Sequence, residues 1–205
     1  MSSADCDTSL IKVGAGDTAT AETVLPLSPE ELRDFLRDVP RLVRLNPQLS
    51  ITRWVPADWG FRFAGHNESN GRDFDLGVLV DAAPEDAALS LRYDAGLKQM
   101  TRIAIEPTGT YARLMFTEHY PRIADADDPR VAEVDKSLVP WVTAIRSHLL
   151  ARRRWGWLPG WRWWAERFML AMPPRQRRIV RLLVWTTVLE FLVFLGVVLV
   201  WRAAS

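Results

Sequence analysis

The chain has 205 residues and a formal net charge of +1, but the charge is unevenly distributed. Residues 1–150 hold 16 basic and 23 acidic residues, whereas residues 151–205 hold 10 arginines and two glutamates. Because the larger part is acidic, no nucleic acid is expected as a partner. The single cysteine, Cys6, excludes an internal disulfide framework, and no histidine has a partner at zinc-ligand spacing. Neither a metal site nor a cofactor is predicted.

The N-terminal region combines a polar arm, a strand and the start of a helix. Residues 1–17 are polar and are predicted to form a flexible N-terminal arm, whereas residues 18–27 are β-prone and predict a first strand. Ser28 then has the properties of a helix N-cap, because Pro29 suits the first helical position and Glu31 stands at the capping-box spacing. An apolar stripe at helical spacing continues this helix, formed by Leu32, Phe35 and Leu36.

The middle of the chain predicts a second, short helix and then a series of strands. Pro40 interrupts the helical pattern, so the short helix is predicted over residues 41–45. Asn70 and Gly71 indicate a tight hairpin, since Asn-Gly suits the positive φ angles of a type I′ turn. Residues 83–86 predict another turn. Strands are predicted over 49–56, 60–67, 72–80, 88–93, 98–106 and 111–120.

Apolar and polar residues alternate along these strands, which indicates an antiparallel sheet with one covered and one solvent-facing side. The cover is predicted to be a long helix over residues 129–153, kinked or broken at Pro140. Together the elements predict an α+β domain with helices on one face of a curved sheet. The stripe of the long helix is Val131, Val134, Leu138, Trp141, Ile145 and Leu149.

A local motif directly after the first strand consists of Ser28-Pro29-Glu30, Phe35 and Asp38, and Asn46-Pro47 follows it. This motif and the order of the elements resemble the START-like (SRPBCC) superfamily, whose helix-grip fold wraps a curved seven-stranded antiparallel sheet on a long C-terminal helix. The resemblance covers about residues 18–153 and implies a cavity between sheet and helix. Members bind lipids, sterols, quinones, polyketides or plant hormones, and some are aromatases or cyclases, with no universal catalytic residue.

Apolar residues on either side of the implied cavity are the candidates for ligand binding, although each can equally be ordinary core. The leading hypothesis is a non-enzymatic binding module for a hydrophobic small molecule such as a lipid or an isoprenoid quinone. An aromatase/cyclase-type enzyme acting on a membrane-soluble substrate and an accessory subunit of a membrane complex are the alternatives. The pocket candidates are Phe61, Phe63, Leu76, Leu89, Leu91 and Tyr93 on the sheet, with Trp141 and Ile145 on the helix.

The sequence offers one candidate for a general acid or base, the run Glu118-His119-Tyr120. Adjacent residues of a strand point to opposite faces, so Glu118 and His119 cannot serve one pocket together. We therefore predict them to be surface residues at a strand end, and no catalytic residue is predicted.

Residues 154–174 are predicted to form an interfacial amphipathic segment. From Trp161 onward the apolar residues recur at helical spacing with arginines away from them, which is typical of a helix lying in the plane of the lipid headgroups. The alternative is a packed continuation of the globular core. The predicted membrane-interface residues are Trp155, Trp157, Trp161, Trp164 and Phe168.

Residues 175–205 are predicted to be a C-terminal transmembrane anchor. Leu182 to Trp201 is an apolar run with one charge, Glu190, and is about 30 Å long as a helix. Arginines crowd its N-terminal edge and only Arg202 follows it, so the positive-inside rule predicts a single-pass, tail-anchored protein of the inner (cytoplasmic) membrane with its soluble domain cytoplasmic. Glu190 would contact another membrane subunit, serve a proton-linked role or have no task.

Overall fold

The computed structural model describes most of the chain, and the arm predicted over residues 1–17 lies outside the described residues. The turn predicted over 83–86 also lies outside them. The described residues are 18–82, 87–122, 128, 131 and 133–204.

A seven-stranded antiparallel sheet has the order β1-β7-β6-β5-β4-β3-β2, so the first and last strands pair with each other. A register shift between Ile51 and Arg53 marks an irregularity in the pairing of β2 with β3, a feature that bends a strand and contributes to the curvature of a sheet. All seven predicted strands are confirmed. They are β1 (Thr18–Leu25), β2 (Leu49–Ala57), β3 (Gly60–Asn67), β4 (Arg72–Asp81), β5 (Leu89–Tyr93), β6 (Met100–Thr108) and β7 (Tyr111–His119).

The hairpin between β3 and β4 is real, but the predicted type I′ turn is wrong. Residues 68–71 form a longer loop in which Gly71 has a φ of 70° and Asn70 does not have a positive φ. The Asn70 side chain instead accepts a hydrogen bond from the nearby Arg72 amide at 3.2 Å and donates one to the distant Glu133 carbonyl at 2.8 Å. These side-chain bonds compete with a tight turn and tie the loop to a distant part of the chain.

Two short helices follow β1, and the predicted capping box is confirmed at the first. In α1 (Pro29–Leu36) the Ser28 amide donates to Glu31 Oε2 at 2.7 Å, and the Glu31 amide donates to Ser28 Oγ at 3.2 Å. The second helix, α2 (Val39–Arg44), begins before Pro40 rather than after it. Proline is tolerated there because amides of the first turn have no partner within a helix.

The long helix α3 spans Leu138–Trp155, so its predicted start at residue 129 is wrong. Val131 is exposed and Val134 precedes the helix. Pro140 is the third helical residue and produces no break, because its missing amide falls in the first turn. The buried face of α3 packs on the inner face of the sheet, and it consists of Leu138, Trp141, Val142, Ile145 and Leu149.

Beyond α3 the chain forms a π-helix (Trp163–Phe168), a single turn α4 (Met169–Ala171) and the long helix α5 (Pro174–Ala204). We call residues 161–171 the tryptophan segment. Leu170 of this segment belongs to the same hydrophobic core as the sheet and α3. The strand order, the sheet and the gripping helix α3 together make this a helix-grip α+β fold, as predicted.

Candidate functional site

A cavity of about 220 Å³ lies between the sheet and the N-terminal half of α3. One water needs roughly 10–15 Å³ of such space, so the cavity is large enough for an organic molecule. Five of the eight predicted pocket residues line it: Phe61, Phe63, Leu76, Tyr93 and Trp141.

The other three predicted pocket residues do not line the cavity. Leu89 is 2% exposed, and Leu91 and Ile145 have no exposed surface. They lie in packed core, where Leu89 pairs with Ile103 of β6. Alternation placed Leu89 and Leu91 on the correct face of the sheet, and helical spacing placed Ile145 on the buried face of α3. The cavity, however, lies against β3, β4 and the end of β5.

The apolar wall of the cavity is aromatic. The Phe61 and Phe63 ring centroids are 5.4 Å apart in an edge-on arrangement, and Phe74 lies 4.9 Å from Phe63. Trp54, on the neighbouring strand β2, stacks on Phe61 at 4.1 Å and so fixes the ring from behind. Such aromatic pairs contribute about 0.5–1.5 kcal/mol each beyond their burial, so the ring contacts stabilise this wall.

Trp141 forms the opposite wall and is held by a hydrogen bond. Its Nε1 donates to the Leu42 carbonyl at 2.8 Å, and its ring meets Phe116 edge-on at 5.2 Å. The indole N–H is therefore already paired and presents an apolar surface to the cavity.

A charged cluster forms the polar edge of the cavity, and the sequence did not predict it. Lys98 Nζ donates to Glu118 Oε1 at 2.8 Å and to Asp135 Oδ2 at 2.7 Å. Tyr120 donates its hydroxyl proton to Glu118 Oε2 at 2.6 Å. We call Lys98, Glu118, Tyr120 and Asp135 the charged cluster.

The prediction that Glu118 lies on the surface is wrong, since its side chain has no exposed surface. Alternation along β7 was interpreted correctly, because Glu118 and His119 point to opposite faces, but Glu118 points inward. The charged residues that join the buried Glu118 in the cluster come from other parts of the chain: Lys98 lies in the β5–β6 loop and Asp135 just before α3. Nothing local to residues 118–120 identifies those partners.

Electrostatics fix the protonation of the cluster. Burial by itself lowers the pKa of Lys98, but the nearby Glu118 and Asp135 carboxylates raise it well above its usual value. Burial raises the pKa of Asp135, yet Lys98 and the hydrogen bonds from Ser137 outweigh this and hold it well below its usual value. The Tyr120 pKa is raised by burial and then by Glu118. Lys98 is therefore an ammonium ion and Asp135 a carboxylate at neutral pH.

Tyr93 brings a hydroxyl group to the cavity next to the cluster. Its oxygen lies 3.1 Å from Thr101 Oγ1, and Lys98 Nζ is 5.3 Å from the centroid of its ring. Burial is the main cause of its raised pKa, so the phenol is neutral at ordinary pH. Because a lysine ammonium has three N–H donors and two are paired here, one remains for a further acceptor.

The cluster also ties together the segments around the cavity mouth. Asp135 Oδ1 accepts from Ser69 Oγ at 3.0 Å and from the Ser137 amide at 2.9 Å. Ser137 Oγ in turn accepts from the buried Asn46 amide group at 2.7 Å. The β3–β4 loop, the approach to α3 and the end of α2 are thus held around one opening. Among the described residues no group of acids, histidines or cysteines is arranged to hold a metal.

The predicted membrane-interface residues fall into two groups. Trp155, Trp157 and Phe168 are exposed, whereas Trp161 and Trp164 are half-buried. Trp161 lies against α3, with its ring centroid 6.4 Å from that of His148. Met169 and Leu170, at the end of the tryptophan segment, are 2% and 6% exposed. Part of the apolar surface of this segment is thus packed on the domain.

One helix in the described part of the chain, Pro174–Ala203, is long and apolar enough to cross a membrane, with a mean hydropathy of 2.4 in its most apolar window and none of that window buried. Glu190 lies on this helix and is exposed. The helix is joined to the domain at its start, where Arg177 donates hydrogen bonds to the carbonyl groups of Arg44, Leu170 and Met172 at 2.7, 3.1 and 2.8 Å.

The fold places this chain among proteins with a helix-grip architecture. Solved structures similar to it include protein Ms6760 from Mycobacterium smegmatis (15% identity, TM-score 0.51), over 71% of this chain and 99% of that one. A START superfamily protein from the same organism matches at 14% identity and a TM-score of 0.49, over 66% and 98%. Major latex-like protein 151 from Panax ginseng matches at 13% and 0.46, over 66% and 98%. No family model and no curated protein matches the chain.

At this identity the match to Ms6760 shows a shared fold. Together with the observed strand order, it confirms the resemblance predicted from the sequence at the level of architecture.

Proposed function

We propose that this chain is a membrane-tethered binding module for a neutral hydrophobic small molecule, such as a lipid or an isoprenoid quinone, at the cytoplasmic face of the membrane. The observation that carries the proposal is the cavity itself, a hollow under α3 with an aromatic wall and one polar edge. Apolar walls with a few placed polar groups are the usual composition of small-molecule sites.

The walls supply affinity, and the charged cluster supplies selection. Burying about 300 Å² of apolar ligand surface at about 25 cal/mol per Å² favours binding by roughly 7 kcal/mol before the costs of association. The cluster holds two carboxyl groups against one ammonium, so it disfavours a third carboxylate such as that of a fatty acid. A neutral carbonyl or hydroxyl oxygen can accept the remaining N–H of Lys98, with Tyr93 beside it.

The cavity mouth is connected to the start of α5. Asn67 and Asn70 of the β3–β4 hairpin line the cavity, and Glu68 between them accepts a hydrogen bond from Arg175 Nε at 3.1 Å. Because Arg175 precedes the apolar run of α5, this contact supports a mouth held close to the lipid surface. A poorly soluble ligand then transfers between bilayer and cavity with little exposure to water.

The arginines around α5 support the cytoplasmic orientation. Arg175, Arg177, Arg178 and Arg181 precede the apolar run and only Arg202 follows it, which favours retention of the larger part on the cytoplasmic side. Recovery of the full chain in the soluble fraction after cell breakage without detergent would contradict the tether.

Native mass spectrometry of the full chain, released from a mild detergent, tests the ligand. Leu76→Trp fills the cavity, whereas Leu79→Trp adds the same volume to an exposed position of the same strand. We expect a small-molecule adduct on the wild type and on Leu79→Trp, and its loss from Leu76→Trp. Solvent extraction then identifies the compound. An adduct that survives in Leu76→Trp, or none on any variant, would count against binding in this cavity.

A second candidate function is catalysis of the cyclase type on an apolar substrate. The observation that favours it is that Tyr93, Lys98 and Asp135 all line the same cavity. A neutral phenol beside an ammonium ion can donate a proton to a substrate oxygen. Recovery of two compounds that differ by isomerisation or loss of water, with only one from Tyr93→Phe, would support this candidate.

A further inference from the structure

A second, larger cavity of about 540 Å³ lies outside the sheet, between α3, the tryptophan segment and the start of α5. We propose that this groove binds one anionic phospholipid, with the phosphate at Arg178 and Arg181 and an acyl chain between α3 and the tryptophan segment. The inference rests on the proposed membrane tether but not on the ligand of the inner cavity.

The shape of the groove follows from small residues on one face of α3. Ala144, Ser147 and Ala151 recur at helical spacing and line the groove, so this face leaves room that larger side chains would fill. Trp161 and Trp164 form the facing wall. The space is therefore elongated along α3 and bounded mainly by apolar atoms.

The charges along the groove are of one sign. Arg177, Arg178 and Arg181 line it, and no aspartate or glutamate does so among the described residues. Arg177 is occupied by its three carbonyl acceptors. Arg178 and Arg181 are exposed and form no ion pair with any residue that the structure describes. Two guanidinium groups that have no ion-pair partner among the described residues, at the end of an apolar groove, favour an anion that carries an apolar chain.

A titratable side chain on the α3 wall, His148, does not alter this balance of charge. His148 lies 3.8 Å from Glu166, beyond hydrogen-bond distance, and burial lowers its pKa to about 4 despite that neighbour. The ring is thus neutral at physiological pH and adds no charge to the groove.

The position of the groove relative to the apolar run of α5 favours a lipid over a soluble phosphate. Arg178 and Arg181 come directly before the apolar run that begins at Leu182, where phosphates of the bilayer are expected. Trp185, one turn into that run, also lines the groove, and tryptophan is enriched at this level of a membrane.

The test uses the full chain, delipidated in a mild detergent and titrated with phosphatidylglycerol or phosphatidylcholine under native mass spectrometry. We expect one tightly retained phosphatidylglycerol. Arg178→Gln/Arg181→Gln should weaken its retention by about tenfold or more. Arg154→Gln/Arg167→Gln is the matched control, because it removes two exposed arginines of the same region that do not line the groove. Ala151→Phe is an uncharged second variant that fills the groove and should also reduce retention.

Equal losses in the two arginine pairs would overturn the proposal, since only diffuse attraction would then operate. Binding of soluble glycerol phosphate as strongly as the lipid would also overturn it, because the apolar groove would have no role. Full retention in Ala151→Phe would do the same. Failure of the proposed membrane tether can be distinguished from failure of the lipid site, because without the tether the wild type would not float with phosphatidylglycerol vesicles. Failure of the site alone leaves flotation intact and removes the single retained lipid.

Discussion

Replacing Lys98 by methionine tests whether the charged cluster is closed off from water. The change leaves the fully buried Glu118 and the nearly buried Asp135 facing each other without the ammonium ion between them. Removing one partner from a buried ion pair costs about 3–5 kcal/mol, because the other charge stays desolvated. At roughly 2–4 °C per kcal/mol for a domain of this size, the melting temperature should fall by about 6–20 °C.

The pH dependence of this effect follows from the shifted pKa values. Asp135 has a lowered pKa, so its stabilisation is present above its ordinary value of 3.8 and is lost as the pH falls through the folded pKa. Lys98 has a raised pKa, so its stabilisation is present below 10.5 and is lost as the pH rises through the folded pKa. The difference in melting temperature between wild type and Lys98→Met should therefore be largest between these values and shrink in acid.

Near-UV circular dichroism of the full chain in detergent reports the melting of the sheet domain without interference from α5 helicity. Arg37→Met is the matched control, since it breaks an ion pair of similar length with Asp34 whose side chains are 78% and 70% exposed. We expect no measurable change there, because exposed pairs contribute little. A Lys98→Met protein that melts like Arg37→Met would refute the idea of a desolvated cluster.

Two further predictions concern the titration of His148 and the apolar helix α5. Burial lowers the pKa of His148 to about 4, so the wild type should lose roughly 3 kcal/mol of stability as the pH falls from 6.5 to 4. The variant His148→Gln should lack this loss. Parallel pH profiles of the melting temperature for the two proteins would contradict the prediction. Glu190→Leu should leave the melting temperature of the sheet domain unchanged, because the apolar run of α5 is exposed throughout, whereas any co-purifying membrane subunit should be lost. A lower melting temperature in Glu190→Leu would place its contacts within the domain instead.

Local signals predicted the elements of this fold well. The capping box at Ser28 and Glu31 is a short-range pattern, and both of its hydrogen bonds form as the spacing requires. Alternation along the strands identified the covered face, including Phe61 and Phe63. The effect of the prolines was predicted less well. A proline breaks a helix only in its interior, whereas Pro40 and Pro140 both lie in the first turn of their helices.

The charged cluster was missed for a different physical reason. Lys98, Glu118 and Asp135 are polar residues on three separate elements, and each alone is typical of a solvated surface. Only the folded sheet brings the β5–β6 loop, β7 and the approach to α3 to one edge of the cavity. Likewise, alternation cannot distinguish Leu76, which lines the cavity, from Leu91, which lies in packed core. A cavity forms where the side chains of the facing elements leave space, and the pattern of a single strand does not show this.

The three carbonyl groups that hold Arg177 come from the end of α2, from α4 and from the residue after it. A rotation of α5 relative to the sheet domain would break these three hydrogen bonds, which disfavours free rotation of the helix. If α5 spans a membrane, a tilt of α5 would therefore tend to tilt the sheet domain with it, and the thickness of the bilayer would influence the direction in which the cavity mouth faces.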